Sequence, residues 1–190
     1  AHYDHLGRGG PGSLAPDAVG QIHNGADDNA SGTAAVLEIA RWLHAEEVPP
    51  AGDVVFALWS GEELGLIGSR HWCANPTVPL DEVGMNLNLD MVGRAQSNGL
   101  EVMGVGTSPN FTAWVEESAR AAELDTQLKT SGFGVGGSDH QSFLEVGIPA
   151  IHLFTGLHDD YHRPTDDLVR FEEVGAARIV AMCVDFIRLA

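Results

Sequence analysis

Along the chain the apolar positions change period several times, and each change marks an element. Val36, Ile39, Ala40 and Leu43 fall at i, i+3, i+4 and i+7, the spacing of one helix face, and predict a helix over roughly 31–47. Asn29 or Ser31 stands before it as a cap. Pro49, Pro50 and Gly52 end that helix, and the β-branched, aromatic run DVVFALW at 53–59 predicts a buried strand. A loop carrying SGEE comes next, then a helix over 65–74. MNLNLDMVG at 85–93 alternates with period two, LEVMGVG at 100–106 predicts another strand, and Ser108 is placed to cap a helix reaching about Ala122. TQLKT at 126–130 and the apolar IPAIHLF at 148–154 follow, and Ala177, Val180, Ala181 and Val184 predict one face of a closing helix. Strands that alternate with helices predict an α/β sandwich with a mostly parallel sheet.

No internal repeat and no linker divides the chain, so the reading is a single domain over residues 1–190. AHYDH opens abruptly, as though the apolar half of a strand preceded it. The expectation is a sheet truncated at its first strand and a chain that is a fragment of a longer precursor.

Composition narrows the function classes. Hydrophobic residues make up 44% and charged residues 19%, the balance of a globular chain and not of a disordered one. The 27 Asp plus Glu against 10 Lys plus Arg give a net charge of -17, which repels nucleic-acid phosphates and anionic membranes and attracts cations. Most of that excess belongs to a solvated surface. Cys73 and Cys183 have no ligand spacing and read as small buried hydrophobes or a single disulfide. No apolar run has the length of a membrane span, and no basic-then-apolar signal segment is present.

Ligands of open α/β sheets collect at the carboxyl ends of strands, and several acidic and imidazole groups stand there. His2 and Asp4 lie at the end of the expected first strand, Glu62 and Glu63 follow DVVFALW, Asp90 closes NLNLD, and His158 to His162 follow IHLF. Asp27 and Asp28 precede a helix N-terminus, where the helix dipole also favours carboxylates. Taken together, His2, His162, Asp28, Glu63 and Asp90 form the mixture of imidazole and carboxylate that Zn²⁺ accepts, whereas oxygen donors alone would indicate calcium or magnesium. A carboxylate has two oxygens. Asp28 is therefore placed to bridge two metals, with His2 and Asp90 completing one site and Glu63 and His162 the other.

AHYDHLG, NGADDNASG, WSGEELGLIGS, LNLDMVG and YHRPTDD, in this order over essentially the whole chain, resemble the dizinc aminopeptidases of peptidase family M28. The resemblance implies a three-layer fold, a central sheet with helices on both faces. It implies His2, Asp28, Glu63, Asp90 and His162 as ligands of two Zn²⁺ ions, Glu62 as the catalytic base and Asp4 as the residue that orients His2. It also implies a cis peptide between Asp28 and Asn29, and secretion or a periplasmic location. Glu62 also reads as an acidic cap of the helix at 65–74. Tyr161 matches a family tyrosine placed to stabilise an oxyanion, and reads equally as a packed aromatic. Met91 reads as the wall of an apolar side-chain pocket, or as core filler. Ser138, Asp139 and His140 are consecutive and cannot converge as a triad, so they read as supporting structure. Just before them, where some members carry a disulfide-bounded tyrosine, FGVGG offers Val135 and glycines. No metal role is assigned to His5, His23, His44, His71, His140, His152 or His158.

The expected function is removal of an N-terminal residue, an apolar one, from a peptide substrate. Three alternatives stand beside it. They are single-zinc glutaminyl cyclase chemistry, a carboxypeptidase or dipeptidase of the same fold, and a non-catalytic binding ectodomain. M20-type peptidases carry an inserted lid domain for which 190 residues leave no room.

Overall fold

The computed structural model describes residues 1–45, 50–133 and 137–190. The expected last turn of the first helix, Pro49, and Val135 with its flanking glycines lie outside the described residues.

Among the described residues four strands form one sheet: β1 (Asn86–Leu89), β2 (Leu100–Met103), β3 (Thr126–Lys129) and β4 (Ala150–Phe154), in the order β1-β4-β2-β3. β1 pairs with β4 and β2 with β3 in parallel, and β2 runs antiparallel to β4. The sheet is thus mixed, with two of its three pairings parallel. Among the described residues six α-helices surround it: α1 (Gly32–Ala45), α2 (Ile67–Ala74), the single turn α3 (Ala95–Asn98), α4 (Phe111–Ala121), α5 (His140–Glu145) and α6 (Glu173–Leu189).

Side-chain alternation sorts the helices onto two faces. Leu87 and Leu89 of β1 and Ile151 and Leu153 of β4 enter a core shared with Val36 and Ile39 of α1, Phe111 and Val115 of α4, and Ile179 and Phe186 of α6. Each aliphatic or aromatic side chain buried there contributes about 1.5–3 kcal/mol. On the other face Ala150 joins Phe143 of α5 and Cys73 of α2, and His152 stacks on His140 at 4.3 Å between ring centroids. The result is the three-layer α/β sandwich.

Three local expectations change. Residues 53–58 form no strand and enter no sheet ladder among the described residues; only Trp59 pairs, in a single parallel bridge with His2. An apolar trough of about 540 Å³ separates 53–57 from β1, so the backbone groups that a strand would share are not within reach of a neighbour. α4 begins at Phe111, behind Asn110, and Ser108 contributes its carbonyl to the Phe111 N–H without acting as a side-chain cap. α6 buries Ala176, Ile179, Val180 and Cys183, while Ala177 is exposed. The period is helical as expected, but α6 packs against both α1 and α4, so its core face is broader than one stripe and rotated from the expected one.

Candidate functional site

The acidic and imidazole side chains come together where the loops after the strands meet the turn before α1. That turn, residues 26–31, is wound around the first helical residue. Gly32 is needed there, because a Cβ would lie 2.3 Å from Asn29 Oδ1 and 2.5 Å from the Leu89 carbonyl. Asn29 accepts the Gly32 N–H on Oδ1 at 2.9 Å and donates its amide to Leu89 O at 3.1 Å, tying the turn to the end of β1. Of the two expected caps, Asn29 is the one that takes up a helix N–H. The Asp28–Asn29 peptide is cis.

Asp27 and Asp28, adjacent in the chain, have different surroundings. Asp27 accepts the Gly93 N–H at 2.7 Å and a bond from His158 Nε2 at 3.1 Å, and the Arg94 guanidinium stands 3.9 Å away. Asp166, fully buried, accepts the backbone N–H groups of both Asp27 and Asp28 at 3.0–3.1 Å. Arg94 also reaches Asp160 and Asp166, at 3.4 and 3.7 Å. This network holds the turn rigidly. Sequence reading missed Arg94 and Asp166, since neither lies near the pair in the chain; the acidic end of YHRPTDD was the available signal.

Asp28 faces two imidazoles, one from each of its oxygens. Oδ1 lies 3.4 Å from His2 Nε2, and Oδ2 lies 3.1 Å from His162 Nε2. Around the first oxygen, Asp90 Oδ2 is also 3.4 Å from His2 Nε2. Around the second, Glu63 Oε2 is 3.1 Å from His162 Nε2. Glu62 and Glu63 diverge from the turn after Trp59 into the two halves, with Glu62 Oε2 3.9 Å from His2 Nε2. By proximity alone, ligand-capable atoms lie within 4.8 Å of one another in two groups, His2 with Glu62 and Asp90, and His5 with Asp28 and Glu63.

The supporting contacts depart from one expectation. His2 Nδ1 bonds the backbone carbonyl of Asp4 at 3.0 Å, and the Asp4 carboxylate stands at 3.7 Å. That carboxylate instead accepts the Glu62 N–H at 3.2 Å, so Asp4 orients His2 through its main chain and Glu62 through its side chain. His162 has a left-handed backbone (φ 54°), and its Nδ1 donates to Gly12 O at 2.8 Å. Tyr161 stacks on the His162 ring at 3.8 Å and packs against Met91, Met103 and Phe154. Met91 also has positive φ (54°), and with Phe154, Leu157 and Tyr161 it lines a small cleft into which Asp28, Glu62 and Asp90 open. His140 and Asp139 lie behind the site, buried, in the supporting layer.

These groups perturb one another strongly. Burial by itself would lower the imidazoles of His2 and His162, but the carboxylates outweigh it. Asp28, Asp4 and Asp90 hold His2 well above the usual range, and Asp28 and Glu63 raise His162 to about 10. Burial, with Asp90, Asp139 and Glu63 adding to it against the pull of His2, pushes Glu62 up to about 8. Glu63 goes the other way, to about 2, because His162 and His5 bond its carboxylate and outweigh its burial. Burial and the same carboxylates raise the Tyr161 phenol, which therefore stays protonated and able to donate.

A zinc centre fits this arrangement. His2 Nε2 and Asp90 Oδ1 are buried with no hydrogen-bond partner among the described residues, an arrangement that costs stability unless something binds them. Two imidazoles and three carboxylates converge, the borderline donor mixture that zinc takes.

The comparisons with known proteins agree with this chemistry. The sequence model of peptidase family M28 matches residues 1–187. Aminopeptidase YwaD of Bacillus subtilis (strain 168) is 36% identical over 155 residues, 76% of this chain and 33% of that protein. The crystal structure of BSAP, a zinc aminopeptidase from Bacillus subtilis, superposes with a TM-score of 0.71 at 30% identity, over 87% of this chain and 42% of the other. Porphyromonas gingivalis glutaminyl cyclase shares the fold, with a TM-score of 0.72 at 20% identity over 97% of this chain and 69% of that one. The chain spans about a third of the length of the first curated relatives it matches.

Proposed function

We propose that this chain, which belongs to peptidase family M28, carries the active site of a zinc-dependent aminopeptidase that hydrolyses the N-terminal residue from peptides. The observation that carries the reading is the division of Asp28, whose two oxygens serve two separate imidazole–carboxylate sets. His2, Asp90 and Asp28 Oδ1 would hold one ion, and His162, Glu63 and Asp28 Oδ2 the other. Bound there, two zinc ions would supply Lewis-acid polarisation of the scissile carbonyl and would lower the pKa of the attacking water.

The rest is the work of the chain's own side chains. Glu62, with its N–H held by Asp4, takes a proton at Oε2 and returns it to the nitrogen of the leaving amine. Tyr161, kept protonated, would donate its O–H to the developing oxyanion. The substrate's ammonium is drawn to the acidic cleft of a chain with net charge -17, and Met91, Phe154 and Leu157 offer an apolar wall to the first side chain.

The test is a metal count joined to an assay. Elemental analysis of zinc-loaded protein is expected to give two zinc ions per chain, and leucyl-anilide hydrolysis is expected to vanish with a chelator and return with zinc. A count of one, with cyclisation of an N-terminal glutaminyl peptide and no hydrolysis, would favour the cyclase reading. No bound metal would leave a binding domain.

The metal-free chain has a predictable pH response. His162, at about 10 when folded against an ordinary 6.5, contributes stability that is complete below about pH 6.5 and lost as pH rises through about 10. Glu62, at about 8 against 4.5, acts in the same direction, since the folded chain holds its proton more tightly than the unfolded one. The depressed Glu63 and Asp28 contribute stability that is lost only as pH falls below the ordinary carboxylate range. Chelator-treated protein should therefore melt at progressively lower temperature from about pH 6.5 to pH 10, and saturating zinc should reverse the trend because it binds deprotonated ligands. Melting curves by circular dichroism across that range check this, and a flat profile without metal would contradict it.

A further inference from the structure

We propose that His5 fixes Glu63 as a one-oxygen metal ligand, holding Oε1 by its Nδ1–H so that Oε2 alone shares an ion with His162 and Asp28. The inference rests on the zinc reading above and concerns a histidine to which the sequence assigns no metal role.

The contact is short and enclosed. His5 Nδ1 lies 2.8 Å from Glu63 Oε1, and both side chains are less than 10% exposed. A carboxylate oxygen only accepts, so the hydrogen between them sits on Nδ1. The ring is also seated from outside the pair. Gly25, with φ 62°, presses against it so closely that a Cβ would lie 2.6 Å from His5 Cγ. His162 meets it edge-on, at 5.9 Å and 73° between ring planes. His5 therefore has a fixed place, and its second nitrogen is buried without a partner among the described residues.

Direct ligation by His5 is the competing assignment, since its ligand atom falls within 4.8 Å of those of Asp28 and Glu63. The distances favour His162 in that place. His162 Nε2 is 3.1 Å from both carboxylates, whereas His5 Nδ1 is 3.9 Å from Asp28 Oδ2 and already engaged by Glu63. A carboxylate with one oxygen held by a hydrogen-bond donor offers the metal a single, directed lone pair, and losing such an outer partner typically weakens metal affinity about 10–100-fold.

The test measures zinc affinity by competition with a chromophoric chelator in the wild-type chain and in His5→Leu, His5→Ser and His5→Asn, with circular dichroism to verify folding. His5→Leu and His5→Ser each remove the donor, and the smaller serine serves if leucine does not fold. Both are expected to bind two zinc ions at saturation with one of the two affinities weakened about 10–100-fold. His5→Asn, whose amide nitrogen can occupy the Nδ1 position, is expected to restore most of the loss. Unchanged affinities in the donor-less variants would overturn the proposal. So would saturation at one ion, which would make His5 a ligand itself, or an asparagine variant as weak as leucine. A wild-type chain that binds no zinc would overturn the metal centre first, and that outcome appears before any variant is read.

Discussion

Glu62→Gln is expected to lower kcat by about 10²–10⁴-fold while leaving two zinc ions bound. Glutamine has the same shape and keeps the backbone N–H bond to Asp4 Oδ1, but its side chain cannot accept a proton at neutral pH. The loss should fall on kcat with little change in KM, because in the proposed mechanism the carboxylate acts on the proton in transit and contributes little to holding the peptide. The metal count makes the experiment decisive. Glu62 lies within reach of His2 and Asp90, so proximity alone would also allow it to be a ligand. It stands at 3.9 Å from His2 Nε2, however, where Asp28 and Asp90 each stand at 3.4 Å. If Glu62→Gln loses a zinc ion, Glu62 belongs to the ligand set; if it keeps full turnover, the base is another group.

Asp28→Asn should have the opposite signature, loss of metal before loss of anything else. The carboxamide retains one oxygen but replaces the other with an N–H₂ that repels a cation, so one half of the site loses its shared donor and neither ion has the intervening negative charge. A fall of at least about 10²-fold in affinity for one or both ions is expected, at least as large as that for loss of an outer partner. Hydrolysis at limiting zinc should fall with it. Calorimetric titration of the metal-free variant would read both affinities, and two ions bound as tightly as in the wild type would end the bridging assignment. The substitution should leave the surrounding turn in place, because the Asp28 N–H is held by Asp166 and the neighbouring Asp27 by Gly93, His158 and Arg94.

Much of the site was legible because its residue types fall in short motifs at element ends. Asp90 follows β1 directly and His162 lies in the loop after the parallel β4, so the sheet rule gathers those two at one edge, while Glu62 and Glu63 follow a run that forms no strand and were legible from their motif. The partners of Asp27 were not legible. No basic residue lies near it in the chain, yet Arg94 and His158 reach it in the fold, and Asp166 holds its N–H across 139 positions. The contact of His5 with Glu63 was no more legible, since it spans 58 positions. The rotated face of α6 depended on which two helices it packs against, and periodicity does not carry that information.

By itself, then, the sequence determined most of the element types, the α/β class and the candidate acidic and imidazole groups, because propensity, period and motif are local properties written in neighbouring residues. Only the tertiary structure decided which oxygen of Asp28 faces which imidazole, where residues 53–58 lie relative to β1, that β2 runs against β4, and which carboxylates are neutralised from a distance. Those are facts of a few ångströms between segments far apart in the chain, and hydrogen bonds, charge and packing act over that range in space regardless of separation in sequence.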